Sequence, residues 1–260
     1  MIHKTAIIGE DVQIGKNVVI GPYCIIGNGA VIGDNVQMKS HVITEGRVTI
    51  GAGTTIHPFV SLSYPQTTQY QGEDSEVIIG KNNTIREYVT IQHGTALDKM
   101  VTVVGDNCLF MVGVHIAHNC IVGNNVVFAN YVSLAGHVEV GDFAMIGGLA
   151  AVQQFCRIGA HAMIGGLAAV VKDVVPYGLA LSDRAHLEGL NLVGMNRRGF
   201  DKKQSLEASK IIKELFNDNS NQLFNQRIET AKNQYPNNKV IQDIIEFVQK
   251  DKTRAFCGLQ

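Results

Sequence analysis

Along most of this chain an apolar residue returns every six positions. From Ile8 the blocks IGEDVQ, IGKNVV, IGPYCI, IGNGAV, IGDNVQ and MKSHVI follow one another, and the phase holds through TEGRVT, IGAGTT and IHPFVS to Ser61. It resumes at Ile79 for IGKNNT, IREYVT and IQHGTA, then runs from Val104 to Val175 through twelve blocks without a slip. Position one is aliphatic, position two is small and often glycine, and position five is small or aliphatic. An α-helix would space its apolar residues three and four apart, so this pattern excludes one. A short strand followed by a corner fits it, with glycine supplying the special backbone angle or the tight approach the corner needs. Three such sides close a triangle of 18 residues, so the 24 blocks make eight coils. Stacked coils pair as parallel strands ~4.8 Å apart, and strand edges stay open only at the two ends. The pattern predicts a parallel β-helix.

Two breaks interrupt the phase, at 62–78 and 97–103, and the first is polar and rich in turn residues. Each leaves at a block boundary and returns in phase, so each is an excursion from a corner that leaves the core intact. Insertions in a solenoid collect where function is built. The six-residue spacing stops at Pro176. Helices are expected at 185–198 (stopped by Gly199), 201–217 with Asp201 as N-cap, 220–234 and 237–250, with Pro236 between the last two. The expected organisation is a β-helix over 1–182 and an α-helical C-terminal domain over 183–260.

Composition narrows the field. A net charge of −1 gives no general attraction to nucleic acid. The N-terminal residues lack the apolar run of a signal peptide. No window offers the ~18 uninterrupted apolar residues of a membrane-spanning helix, so a cytoplasmic protein is expected. Cys24, Cys108, Cys120, Cys156 and Cys257 form no Cys-x-x-Cys pair, and several occupy positions where other blocks carry valine or alanine. Buried, reduced thiols follow from that placement.

The candidate chemistry lies in 107–140, which carries His115, His118 and His137, three of the nine histidines. Residues 18 apart stack on one face. His118 and Gly136 are both third in their blocks, one coil apart, and His137 lies within ~5–6 Å of that column. His93 takes the same slot one coil earlier, and Gln154 takes it one coil later with Gln153 beside it. His115 closes the block before His118. Third and fourth positions lie at the corner, so the column lines one edge of the prism. It reads either as a polar surface ladder or as a site in which a histidine accepts a proton and a glycine N–H receives an oxyanion. A metal would need three or four converging ligands. His115-x-x-His118 has no carboxylate in its column, and Cys108 and Cys120 fall on inward positions, so no metal is assigned.

Where Ile116-Ala117-His118-Asn119-Cys120 meets Leu134-Ala135-Gly136-His137-Val138, the chain resembles the UDP-N-acetylglucosamine O-acyltransferases of the hexapeptide-repeat superfamily, which start lipid A synthesis. The resemblance covers its whole length. It includes Ile85-Arg86-Glu87, Gln154-Phe155-Cys156, Ile164-Gly165-Gly166, Asp173-Val174-Val175-Pro176-Tyr177 and Gly194-Met195-Asn196-Arg197-Arg198-Gly199-Phe200. It implies a left-handed β-helix and a homotrimer with sites in the clefts between subunits. The implied reaction moves an (R)-3-hydroxyacyl chain from acyl carrier protein to the 3-hydroxyl of UDP-N-acetylglucosamine. The resemblance implies no cofactor, because the phosphopantetheine arm of the carrier protein holds the donor.

By the same resemblance His118 is the general base and Gly136 the oxyanion donor. His115 and His137 contact the sugar, Gln154 falls in a nucleotide-contacting motif, and Gln69 and Gln153 face the sugar and phosphate region. Asn191, Arg197 and Arg198 hold the nucleotide and its phosphates, while the size of residue 166, here Gly166, limits acyl-chain length. The chain departs from the family at Gln69, Gln92, Asn119, Gln153 and Val193, where a basic or acidic residue is usual. Those departures keep a 3-amino analogue of the sugar open as the acceptor. A γ-carbonic-anhydrase-like metal-binding β-helix is the alternative from another class, although its His-x-x-x-x-His pair is lacking. Arg197, Arg198, Lys202, Lys203, Lys210 and Lys213 form a local basic stretch suited to an acidic carrier protein. Asp201, Glu207 and Glu214 among them equally suit a solvated helix face.

Overall fold

A computed structural model describes residues 1–65, 70–96, 98–216, 222–250 and 254–259. Among the described residues short strands, mostly of two residues, stack in three sheets of nine, eight and ten strands, parallel except for the last strand of the third. The chain visits them in fixed rotation. Taking the coil of the histidines, His115–Ile116 lies in the first sheet, Ile121–Val122 in the second and Val127–Phe128 in the third. Register is one coil throughout: His115 pairs with Ser133 and Ile116 with Leu134. The stacking begins before the six-residue phase does, since Ile2 bridges to Ile20.

Positions one and five point inward and build one continuous core. At the level of the histidines Phe110 and Phe128 are fully buried and stack at 5.1 Å. Burying such a side chain contributes about 1.5–3 kcal/mol, and truncating either to alanine would cost about 3–5 kcal/mol. The corner is turned by the fourth residue. Asn119, Tyr131, His137, Phe143, Phe155 and His161 all have φ between 60° and 65°. This left-handed conformation is costly for a residue with a side chain. Here it aims each N–H at the neighbouring coil, as Tyr131 N–H donates to Val112 O at 2.9 Å. The second-position glycines serve close approach instead. A Cβ on Gly141 would sit 2.5 Å from Ala160 N. Of the two roles expected for glycine, tight approach operates at position two and the special angle falls mostly to other residue types at position four.

Both insertions leave from the same edge, where the first sheet passes to the second. Their expected limits are too wide. Leu62 is a buried strand residue, and 76–78 and 101–103 belong to the four-residue strands Glu76–Ile79 and Val101–Val104, which pair with each other. The alternation of buried and half-buried residues in EVII and VTVV carries them into the ladder although they precede the phase.

The C-terminal part departs from expectation at its start. Residues 186–190, expected to be helical, form the strand His186–Leu190, antiparallel to Gly178–Leu181, which itself extends the third sheet. Pairing satisfies these backbone groups, so the helix begins only after Asn191 caps it. Helices α1 (Leu192–Arg197), α2 (Lys202–Leu215), α3 (Phe224–Gln234) and α4 (Lys239–Gln249) follow. Asp201 caps α2 as expected, accepting from Gln204 N–H at 2.8 Å. A buried ion pair ties helices to prism. Arg157 Nε donates to Asp173 at 2.7 Å, and the guanidinium reaches Phe247 O at 3.3 Å and lies over the Phe247 ring.

Candidate active site

The edge between the first and second sheets carries the predicted column. His137 N–H donates to His118 O at 3.0 Å, and Phe155 N–H to Gly136 O at 3.2 Å. These bonds fix the backbone, and the third-position side chains hang outside it. The His118 ring lies directly on Gly136, because a Cβ there would meet Nε2 at 2.6 Å. Only glycine allows that approach. The Gly136 N–H has no acceptor among the described residues. His118 Nδ1 lies 2.9 Å from Asn119 Oδ1. An amide oxygen only accepts, so in the neutral ring the proton sits on Nδ1 and the lone pair on Nε2.

His137 stands edge-on to His118 at 5.2 Å and stacks on Phe155 at 4.6 Å. Its Nδ1 is 3.2 Å from Asp98 of the second insertion. His115 Nδ1 is 2.7 Å from Thr90 Oγ1. Burial, and to a lesser degree the neighbouring His118, hold the His115 pKa below the ordinary imidazole value. Gln153 is exposed and Gln154 half-buried, with the Gln154 carbonyl accepting from Arg254 Nε at 3.0 Å. His93 breaks the expected pattern. It is 5% exposed, covered by Tyr70 and Ser75 of the first insertion, with Nδ1 2.7 Å from Ser75 Oγ. It is a packing residue there. Gln69 lies outside the described residues.

The other predicted residues sit on the other two edges. Gly166 is on the edge between the third and first sheets, stacked on Gly148 so closely that a Cβ would lie 3.1 Å from Gly148 O, and exposed Leu149 and Leu167 flank the pair. Asn191, Arg197 and Arg198 are on the edge between the second and third sheets. Asn191 caps α1 by accepting from Gly194 N–H at 3.0 Å and donates to His161 O at 3.2 Å. Arg198 donates to Phe143 O at 3.1 Å, while Arg197 is exposed in the last turn of α1. There His161 is sandwiched between Phe143 (4.8 Å) and Tyr177 (5.1 Å), with Phe200 edge-on. Burial, then the Arg198 charge, lower its pKa. One chain therefore joins His115, His118, Gly136 and His137 but not the three sets.

The hexapeptide-transferase family model matches residues 5–40 and 102–136, and the model described as UDP-N-acetylglucosamine O-acyltransferase, domain 2, matches 173–257. A Rickettsia canadensis protein named acyl-[acyl-carrier-protein]–UDP-N-acetylglucosamine O-acyltransferase is 59% identical over all of this chain and 98% of its own. The chain belongs to that family. Two solved structures agree: the UDP-N-acetylglucosamine acyltransferases of Francisella novicida (35% identity, 98% of this chain and 93% of that one, TM-score 0.93) and Campylobacter jejuni (36%, 100% of each, TM-score 0.91).

Membership makes this protein an acyltransferase built on a left-handed parallel β-helix. Its third-position histidine lays an imidazole on a glycine whose N–H has no acceptor among the described residues. Among the described residues no group of three or more His, Cys, Asp or Glu side chains is placed to hold a metal, and no helix is long and apolar enough to cross a membrane. All five cysteines are buried without disulfides, and burial pushes the Cys120 thiol up to about 12. Sequence spacing did not single out Thr95, Asp98, His161 or Arg254. The 18-residue interval from Phe143 to His161 was the one available signal.

Proposed function

We propose that this chain transfers an (R)-3-hydroxyacyl group from acyl carrier protein to the 3-hydroxyl of UDP-N-acetylglucosamine, the first step of lipid A synthesis, in the cytoplasm. The observation that carries the reading is the His118 ring packed on Gly136, one coil apart, with Nδ1 facing Asn119 Oδ1 and the Gly136 N–H without an acceptor among the described residues. His118 Nε2 takes the proton of the attacking hydroxyl. The Gly136 N–H meets the oxyanion of the thioester carbonyl, and the carrier's thiol leaves with a proton returned by His118. General-base catalysis typically contributes ~10²–10⁴-fold, and an oxyanion donor about 10²–10³-fold. His115, His137, Gln153 and Gln154 line the acceptor side, and Asn191, Arg197 and Arg198 hold nucleotide and phosphates.

These sets occupy three different edges of one prism, so the complete site requires edges from different copies, and the active form is a homotrimer. The reading draws its substrates from the names of the relatives. Replacement of charged family residues by Gln69, Gln153 and Asn119 favours testing a second acceptor, the 3-amino sugar nucleotide. Mass spectrometry of product from carrier-bound 3-hydroxyacyl chains of several lengths, offered both sugar nucleotides, decides between them. An ester on UDP-N-acetylglucosamine is expected. Amide product alone would replace the proposed acceptor, and no product from either would remove the reaction. In the same assay Gly166→Met should shift preference to shorter chains.

A further inference from the structure

Asn119 Oδ1 faces three donors: His118 Nδ1 at 2.9 Å, Thr95 N at 3.1 Å and Thr95 Oγ1 at 2.8 Å. A carboxamide has two ends of nearly equal shape and opposite polarity, so its neighbours alone decide which end meets the imidazole. Asn119 cannot swing away. It is 4% exposed, its φ is 60°, and its N–H is held by Thr102 Oγ1 at 2.9 Å. It can only turn over.

The two orientations differ chemically. With oxygen toward the ring, His118 Nδ1 donates and Nε2, on the Gly136 side, can accept a proton. With the amine toward the ring, Nδ1 must accept, the ring proton moves to Nε2, and the base is lost. The Thr95 backbone N–H can only donate, so it opposes the second orientation; the hydroxyl, which can donate to the oxygen or accept from the amine, bonds either orientation and selects neither. We propose that Thr95, at the root of the second insertion, is a positioning residue that holds the Asn119 carboxamide and so selects the His118 tautomer that catalysis needs. A carboxylate at 119 would need no such clamp, since both its oxygens accept. The inference rests on His118 being the base.

The test compares kcat/KM for Thr95→Pro, which removes the N–H, Thr95→Val, which removes only the hydroxyl, Asn119→Asp and the double variant Thr95→Pro/Asn119→Asp, each checked for an unchanged thermal midpoint. Losing the N–H should lower kcat/KM about three- to tenfold in the Asn119 background, the scale of one hydrogen bond, and losing the hydroxyl should cost less. In the Asn119→Asp background the same proline substitution should cost less than about twofold. An equal cost in both backgrounds, as packing alone would give, overturns the proposal, and so does no cost in either. Nitrogen-15 spectra of the histidines give a reading independent of turnover. The Nε2-protonated form of His118 should grow in Thr95→Pro and not in Thr95→Val, and an unchanged tautomer in the proline variant overturns the proposal. His118→Ala run alongside separates the two levels. If it stays active, the base assignment itself fails; if it is inactive while the proline costs match, only the role of Thr95 fails.

Discussion

Two edges of the same prism use histidine in opposite ways. On the edge between the second and third sheets, His161 is a fourth-position residue, and the coils on either side place Phe143 and Tyr177 against both of its faces. On the edge between the first and second sheets, His118 is third in its block, and the next coil offers a glycine in that slot. The stacked ring is a structural brick. The ring over glycine is half-buried, beside an N–H that has no acceptor among the described residues. For these two rings, a difference of one position, with the size of the residue one coil further on, separates packing from chemistry.

The comparison is broken most severely at His118. His118→Ala should reduce turnover at least ~100-fold while the assembled protein elutes unchanged from a sizing column. Near-full activity would end its assignment as base. Gly136→Ala attacks the same edge through its neighbour. Its Cβ meets only the far end of the His118 side chain, which can swing aside, so a loss of roughly tenfold or more in kcat should come with almost no change in thermal midpoint. A large drop in midpoint instead would make Gly136 a folding glycine. His161→Ala should do the reverse. Losing two stacked pairs costs about 1–3 kcal/mol of stability, read as a lowered denaturant midpoint, with kcat little altered.

The smallest effect is one of pH. Burial lowers the His115 pKa, so the folded protein binds fewer protons than the unfolded chain. Stability from this group is full above the unfolded value of about 6.5 and is lost as pH falls below it. His115→Asn should flatten the fall in melting temperature between pH 7 and the acid side; an unaltered slope would place the titration elsewhere.

The period made the prism legible, and the 18-residue interval put His118 over Gly136 before any coordinates. It failed where the phase stops. The helix expected from 185 starts late, because 186–190 pair with Gly178–Leu181 as a strand and that pairing outweighs local propensity. Leu62 and the strands at 76–79 and 101–104 were cut short since their pairing depends on neighbours brought back by the insertions. His93 shared the slot of His118 but was covered by Tyr70, which no period places. Thr95 and Asp98 escaped notice for the same reason. The tail that brings Arg254 to the Gln154 carbonyl joins residues 100 apart in sequence.

The Arg157–Asp173 pair has a further consequence for how the molecule comes apart. Asp173 is wholly enclosed, and the arginine that neutralises it also grips the chain at Phe247. Peeling the helices from the prism would take from the guanidinium the carbonyl and the ring of Phe247, leaving the buried pair only half satisfied. Heating should therefore melt both parts in one transition, and a detached prism with its helices shed would not accumulate along the way.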